Sequence, residues 1–138
     1  HYTYPGKVPF VTGALEQWNK SQVREYLNLP VQWASSKGIA LNRLVASEFG
    51  CVRTMNNCAI YLNDVLNALD DNQLHWAFYS FREDAWDAMN YELGEKDRVP
   101  AAYWEAMENN QPDPVQYKNS SLFSIIQKRL SPKDVKLQ

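Results

Sequence analysis

The chain has 138 residues, the length of one domain, with 14 Lys and Arg against 16 Asp and Glu and a formal net charge of −2. This balance argues against a nucleic-acid-binding module, which usually carries a basic excess on one face. The mix of 45% hydrophobic and 22% charged residues is typical of a globular protein, and no apolar run approaches the roughly 20 residues that cross a bilayer. We therefore expect neither nucleic acid nor a membrane as a partner.

The chain begins with a predicted strand, a loop and a helix. Residues 1–4 predict a short strand, and the Pro and Gly residues at 5–20 predict a long loop. The secretory signal-peptide pattern is not found in this segment. Apolar residues at helical spacing then predict a helix from near Ser21, as its N-cap, to Lys37. Pro30 should kink or divide this helix, and Gly38 is well placed at its C-terminal end.

Two further apolar segments flank a second predicted helix. The centre of residues 41–50, Leu44-Val45-Ala46, is apolar at consecutive positions, which predicts a strand buried on both faces, as in parallel sheets. A broad apolar face predicts a helix over 57–69, and LHWAFYSF at 74–81 predicts another buried strand. We expect parallel strands near residues 1–4, 42–48 and 74–80, side by side in chain order, because strands and helices alternate.

The last third of the chain is less regular. A polar loop with scattered aromatic residues is predicted at 82–99, helices at 100–109 and 119–130, and a frayed tail at 131–138. The whole pattern indicates the α/β class. A (β/α)₈ barrel needs roughly 250 residues, so this chain cannot close one by itself.

The cysteines and histidines predict no metal site. Two cysteines, Cys51 and Cys58, are too few for a disulfide scaffold and do not have zinc-site spacing. With only His1 and His75 besides, a four-ligand site would need carboxylates. The sequence leaves open whether the two cysteines form a local disulfide or remain free thiols.

Glu48 is the sharpest functional signal, because it ends an apolar strand in the order Ala46-Ser47-Glu48-Phe49-Gly50. The carboxyl end of a parallel strand points to the face where α/β proteins place their active sites. A buried carboxylate there is costly unless it is used or paired. The alternative is an acid that caps a loop or pairs with Arg53.

Aromatic residues make up 13% of the chain, which fits either core packing or a flat binding surface. In the strand at 74–81, His75 and Trp76 point to opposite faces. The indole of Trp76 is either a sugar platform or part of the core. Residues 82–94 mix acids, aromatic side chains and an amide, as expected of a solvated loop or of one that contacts substrate.

Three segments together resemble a known family. LVASEFG, a helix containing YLNDVLNAL, and HWAFYSFREDAWDAMNYELG are similar, in this order and spacing, to the C-terminal part of glycoside hydrolase family five. This is the cellulase and mannanase family with a (β/α)₈ barrel. The resemblance implies that residues 1–138 form a single C-terminal fragment of such a catalytic domain, containing strands six to eight.

The resemblance also implies roles for individual residues. Glu48 corresponds to the glutamate nucleophile at the end of strand seven, and Trp76 to the sugar platform of strand eight. His1 matches the H-x-Y motif beside the nucleophile, but Thr3 stands where that motif has its Tyr. The resemblance therefore implies that His1 and a nearby tyrosine, Tyr2 or Tyr4, hydrogen-bond the nucleophile. The implied substrate-binding residues are Trp76, Tyr2, Tyr4, Trp86, Asp87 and Asn90.

The family's acid/base glutamate is not found in this chain. It lies in an N-E dipeptide at the end of the fourth strand, and the chain contains no such dipeptide. We therefore expect the chain to be the part of a retaining β-glycan hydrolase that carries the nucleophile but not the acid/base, and to be inactive by itself. A β-linked polysaccharide or oligosaccharide is the expected substrate, with no cofactor, and the family implies a secreted protein.

Two other classes of function remain open from the sequence. The chain could be a non-catalytic carbohydrate-binding module on a degenerate partial barrel, which the aromatic surplus fits. It could also self-associate, since a small sheet of buried-type strands leaves edges that pair with the missing part of a barrel or with a second copy.

Overall fold

The computed structural model describes residues 2–9, 11–81, 86–93, 108–109 and 120–130. The chain divides into two compact units, His1–Tyr79 and Ser80–Gln138. Helices and two small sheets are both present, so the fold is mixed α/β. That residues 1–138 are one fragment of a larger catalytic domain stays a prediction.

The first unit begins with a hairpin that differs from the predicted strand and loop. Strand β1 (Gly6–Pro9) pairs antiparallel with β2 (Leu15–Trp18), with Gly6 opposite Trp18. Gly13, with φ of 79°, supplies a left-handed residue in the connecting turn. The expected strand at 1–4 and loop at 5–20 are therefore wrong. Thr3 instead forms an isolated parallel bridge to Asn56.

Helix α1 (Lys20–Ser36) confirms the first predicted helix. Its N-cap is Asn19 rather than Ser21, because the Asn19 side chain accepts a hydrogen bond from the Ser21 amide at 2.8 Å. The helix continues on both sides of Pro30 instead of dividing there. Gly38 follows the C-cap with φ of 66°, confirming its predicted position at the C-terminal end.

Strand β3 (Val45–Ala46), helix α2 (Cys58–Asp71) and strand β4 (His75–Trp76) form a βαβ unit. The strands are parallel, with Val45 beside His75 and Ala46 beside Trp76, which confirms the predicted parallel pairing of the second and third strands. The buried residues of α2 form one stripe that includes Leu62, Val65, Leu66 and Leu69. This apolar stripe explains why the chain crosses back over the sheet as a helix.

The sheet differs from the prediction in three ways. Both strands are short, and a 3₁₀ turn at Leu41–Arg43 precedes β3. In the described part of the chain, β3 pairs with β4 alone and no segment near residues 1–4 joins them. Val45 is 60% exposed, so the strand is not buried on both faces. Only the face of Ala46 and Trp76 packs against the core.

The core of the first unit lies between the two helices and the βαβ strands. Its buried members are Tyr4, Val23, Val65, Leu69 and Leu74. Ala46 and Trp76 of the strands, and Leu44 just before β3, pack against this cluster. Side chains on one face of β3 and β4 therefore meet the core cluster, while Val45 and His75 lie on the exposed face.

The described part of the second unit consists of short turns and one helix. Two 3₁₀ turns, Asp87–Met89 and Tyr91–Leu93, precede helix α3 (Ser121–Leu130), which confirms the helix predicted at 119–130. The rings of Phe81 and Phe123 pack with their centroids 4.5 Å apart.

Several predicted elements are not covered by the structure. The tail at 131–138 and nearly all of the helix at 100–109 lie outside the described residues. None of the helices that the structure describes has the length and apolar character needed to cross a membrane.

Candidate functional site

The pairing of the two parallel segments continues past β3 and β4 with one extra residue. The Ala77 amide donates to the Ala46 carbonyl at 2.9 Å, and the Tyr79 amide donates to the Phe49 carbonyl at 2.8 Å. One residue separates the two donors, but two residues, Ser47 and Glu48, separate the acceptors. In regular parallel pairing, the number of residues between successive donors equals the number between successive acceptors. The segment that carries Glu48 therefore forms a bulge.

This bulge sets the environment of Glu48. Bulges bend a strand, re-aim a side chain and are over-represented beside active sites. Glu48 is exposed and lies two residues beyond Ala46, the last residue of β3. Arg53 is buried. Among the described residues, Arg24 and Asp71 form an ion pair, but Glu48 forms none. The alternative in which Glu48 pairs with Arg53 is therefore not what the structure contains.

Trp76 is packed beside the same segment. Its indole meets the ring of Phe49 edge to face, with centroids 5.9 Å apart, and it contacts the core cluster while staying half-buried. This environment fits the core-packing interpretation of Trp76, and its role as a sugar platform stays a prediction. His75, its neighbour in β4, is exposed on the opposite face beside Val45.

Tyr4 is held in the core by a hydrogen bond. Its hydroxyl donates to the Asp64 Oδ2 atom at 2.7 Å, and its ring lies edge to face with Tyr61 at 5.4 Å. Burial raises the pKa of Tyr4 well above its usual value, and the hydrogen bond to Asp64 and the charge of that carboxylate act in the same direction. Burial also raises the pKa of Tyr61.

The hydrogen bond to Asp64 distinguishes Tyr4 from Tyr2, the other tyrosine predicted at the site. Tyr4 has a single hydroxyl proton, which goes to Asp64, so Tyr4 does not donate to the carboxylate of Glu48. Tyr2 is 56% exposed and presents its ring and hydroxyl to solvent. His1 lies outside the described residues.

Both tyrosines line an aromatic cleft of about 190 Å³ that sequence reasoning missed. Its walls include Tyr2, Tyr4, Trp18, Cys51, Met55 and Tyr61. A second cavity, of about 590 Å³, shares Tyr2 and Met55 with it. The hairpin brings Trp18 to the cleft, so the turn residues Thr12 and Gly13 were the signal that could have revealed it.

A disulfide fixes the loop that follows Glu48. Cys51 and Cys58 are bonded, with their Cα atoms 5.8 Å apart, which decides between the two alternatives that the sequence left open. Both are buried, and Cys58 is the first residue of α2. The loop between them lines both cavities and pairs with Thr3 through Asn56. The disulfide therefore anchors one wall of the cleft to a helix.

Three further predicted site residues lie in the second unit. Trp86 is 52% exposed, Asp87 is half-buried and Asn90 is buried. Amide-to-carbonyl hydrogen bonds hold this segment to residues 80–81, including Tyr91 to Ser80 at 3.1 Å and Glu92 to Phe81 at 3.0 Å. Residues 82–85 and 94 of the same predicted loop lie outside the described residues.

No protein-family model matches this chain, and no curated protein matches it. Within the residues that the structure describes, no group of three or more His, Cys, Asp or Glu side chains is arranged to hold a metal ion.

Proposed function

We propose that this chain is the part of a retaining β-glycan hydrolase that carries the catalytic nucleophile, Glu48. The observation that carries the proposal is the position of this carboxylate. Glu48 is solvent-accessible, follows a parallel strand and lies in a bulge that interrupts the regular pairing. Nucleophiles of α/β enzymes are found at this edge of a sheet, and bulges there re-aim side chains toward ligands.

The βαβ unit packs on one face only, and this supports the proposal that it belongs to a partial (β/α)₈ barrel. In a doubly wound sheet, helices cover both faces, whereas in a barrel they cover one face and the other lines the interior. Here the face of Ala46 and Trp76 packs against the core cluster, to which both α1 and α2 contribute, and the face of Val45 and His75 is exposed. The proposed partner for the open face is the remainder of a barrel or, alternatively, a second copy of the chain.

The proposed chemistry needs two carboxyl groups and no cofactor. The Glu48 carboxylate attacks the anomeric carbon of a β-linked sugar and forms a covalent glycosyl intermediate, while a second carboxyl group protonates the leaving oxygen. In retaining enzymes these groups are about 5–5.5 Å apart. The acid/base group would come from another part of the enzyme, so the chain alone should not hydrolyse unactivated polysaccharides.

The buried disulfide supports the proposed location outside the cell. Structural disulfides form and persist in oxidising compartments and are rare in the cytosol of most organisms. Cys51 and Cys58 bridge the loop directly after Glu48. The arrangement suits a secreted enzyme, because in an oxidising compartment the disulfide persists and holds the shape of the loop after Glu48.

An activated glycoside tests the nucleophile without the missing acid. The 2,4-dinitrophenyl 2-deoxy-2-fluoro-β-cellobioside carries a leaving group that departs without protonation, and its fluorine slows the breakdown of the covalent intermediate. The wild-type chain should gain the mass of one fluorinated disaccharide, with release of dinitrophenolate, and peptide mapping should place the adduct on Glu48.

Two variants make this experiment specific. Glu48→Gln keeps the shape of the side chain but removes the attacking charge, so it should lose labelling completely. Glu25→Gln changes an exposed carboxylate on α1 and should label like the wild type. Labelling of the Glu48→Gln chain at the wild-type rate would overturn the proposal, and so would a wild-type chain that forms no adduct.

Exposed aromatic side chains on α1 favour a second candidate, a non-catalytic carbohydrate-binding module. Tyr26 and Trp33 are 53% and 56% exposed, and the spacing of seven residues places them on one face of the helix. Exposed rings of this kind stack on sugar faces. Binding of β-glucan that is lost in Trp33→Ala but unchanged in Glu48→Gln, together with no covalent labelling, would favour this candidate.

A further inference from the structure

We propose that the aromatic cleft of the first unit binds one neutral aryl ring. Four aromatic side chains from three separate segments converge on it: Tyr2 and Tyr4 from the start of the chain, Trp18 from β2 and Tyr61 from α2. The site goes beyond the proposed glycosidase function, because it requires no chemistry at Glu48. It can be tested by binding alone.

The size of the cleft matches a single six-membered ring. Its volume is about 190 Å³. An engineered apolar cavity of about 150 Å³ in another protein binds benzene. The cleft therefore has room for one substituted benzene ring.

The walls are pre-organised before any ligand enters. Tyr4 is fixed by its hydrogen bond to Asp64 and by its edge-to-face contact with Tyr61. The disulfide to Cys58 fixes Cys51 on the opposite segment. Because these side chains are already ordered, a ligand loses less of its binding energy to the ordering of the site.

The chemistry of the lining favours an aryl ring over a sugar. Among the described residues, no charged side chain lines the cleft. The Tyr4 hydroxyl is already bonded to Asp64, so Tyr4 offers its ring alone. Met55 and the disulfide sulfur of Cys51 supply polarisable contacts that suit aromatic ligands. A pyranose carries hydroxyl groups around its rim, and burying them without partners is unfavourable.

The direct test is titration of the full chain with 4-fluorophenol, followed by ¹⁹F NMR. We expect saturable binding by the oxidised wild-type chain. Trp18→Leu, which removes one aromatic wall, should weaken binding at least fivefold. Leu29→Ala is the control variant, since this side chain is exposed on α1 and does not line the cleft, and its affinity should equal that of the wild type.

A second variant separates loss of the site from loss of the fold. Val8→Phe fills the cleft instead of removing a wall, so it should also weaken binding while circular dichroism stays at the wild-type value. Methyl β-D-glucopyranoside should not compete. Absence of saturable binding, an equal loss in Leu29→Ala, or full competition by the methyl glucoside would overturn the assignment. None of these results depends on covalent labelling of Glu48, so the two proposals fail separately.

Discussion

Removal of the Cys51–Cys58 disulfide should destabilise the first unit by an amount that follows from the length of the closed loop. The bonded residues are separated by 7 positions. In the chain-entropy treatment, a closed loop of about 8 residues lowers the entropy of the unfolded chain by about 8.3 cal/mol/K, or about 2.5 kcal/mol at 25 °C. The double variant Cys51→Ala/Cys58→Ala should therefore lose about 2.5 kcal/mol of unfolding free energy.

Urea denaturation followed by circular dichroism and tryptophan fluorescence measures this loss. With an m-value of about 1.5 kcal/mol/M, the unfolding midpoint should fall by about 1.7 M. Reduction of the wild-type chain should reproduce the shift. The double variant is the matched control, because the chain has no other cysteines and reductant should leave its midpoint unchanged. A double variant within about 0.5 kcal/mol of the oxidised wild type would refute the loop-closure reasoning.

Three further predictions concern the helix ends and the buried tyrosine. Gln73 follows the C-cap of α2 in the left-handed region, with φ of 54°, so Gln73→Gly should raise the unfolding free energy by about 0.5–1 kcal/mol in urea denaturation. Gly38 has the equivalent place after α1, and Gly38→Ala should lower the unfolding free energy by about 1 kcal/mol in the same assay. If both variants changed the unfolding free energy in the same direction, this reasoning would be contradicted. Tyr4→Phe removes the hydrogen bond to Asp64 and should cost about 1–2 kcal/mol at pH 7. Because folding raises the pKa of Tyr4, the wild-type chain should lose stability as the pH rises above about 10. Denaturation at pH 7 and pH 11 should show that Tyr4→Phe loses less unfolding free energy over this range than the wild type does.

The equivalence of Gln73 and Gly38 rests on matching hydrogen bonds. After α1, the Ile39 amide donates to the Ala34 carbonyl at 2.9 Å. After α2, the Leu74 amide donates to the Leu69 carbonyl at 3.0 Å. Both ends are Schellman motifs, in which the residue after the C-cap takes a left-handed conformation. The strain at Gln73 is therefore a local backbone effect, independent of the core.

Local patterns in the sequence determined the helices and the βαβ unit. The apolar stripes of α1 and α2 have the period of a helix, and each helix is long enough for that period to be unambiguous. The order strand, helix, strand predicted the parallel pairing of β3 and β4, because a crossover of this length connects parallel strands. It also placed Glu48 after the carboxyl end of a strand, the basis of its candidate role.

The tertiary structure alone decided which distant segments meet. The Tyr4–Asp64 hydrogen bond joins residues 60 positions apart, and no periodicity in the sequence predicts a contact at that range. The hairpin that brings Trp18 to the cleft depends on pairing across the Gly13 turn. The bulge at Glu48 exists only because Phe49, rather than Glu48 itself, accepts the amide of Tyr79. Local patterns define elements, whereas the cleft, the bulge and the disulfide follow from how distant segments meet.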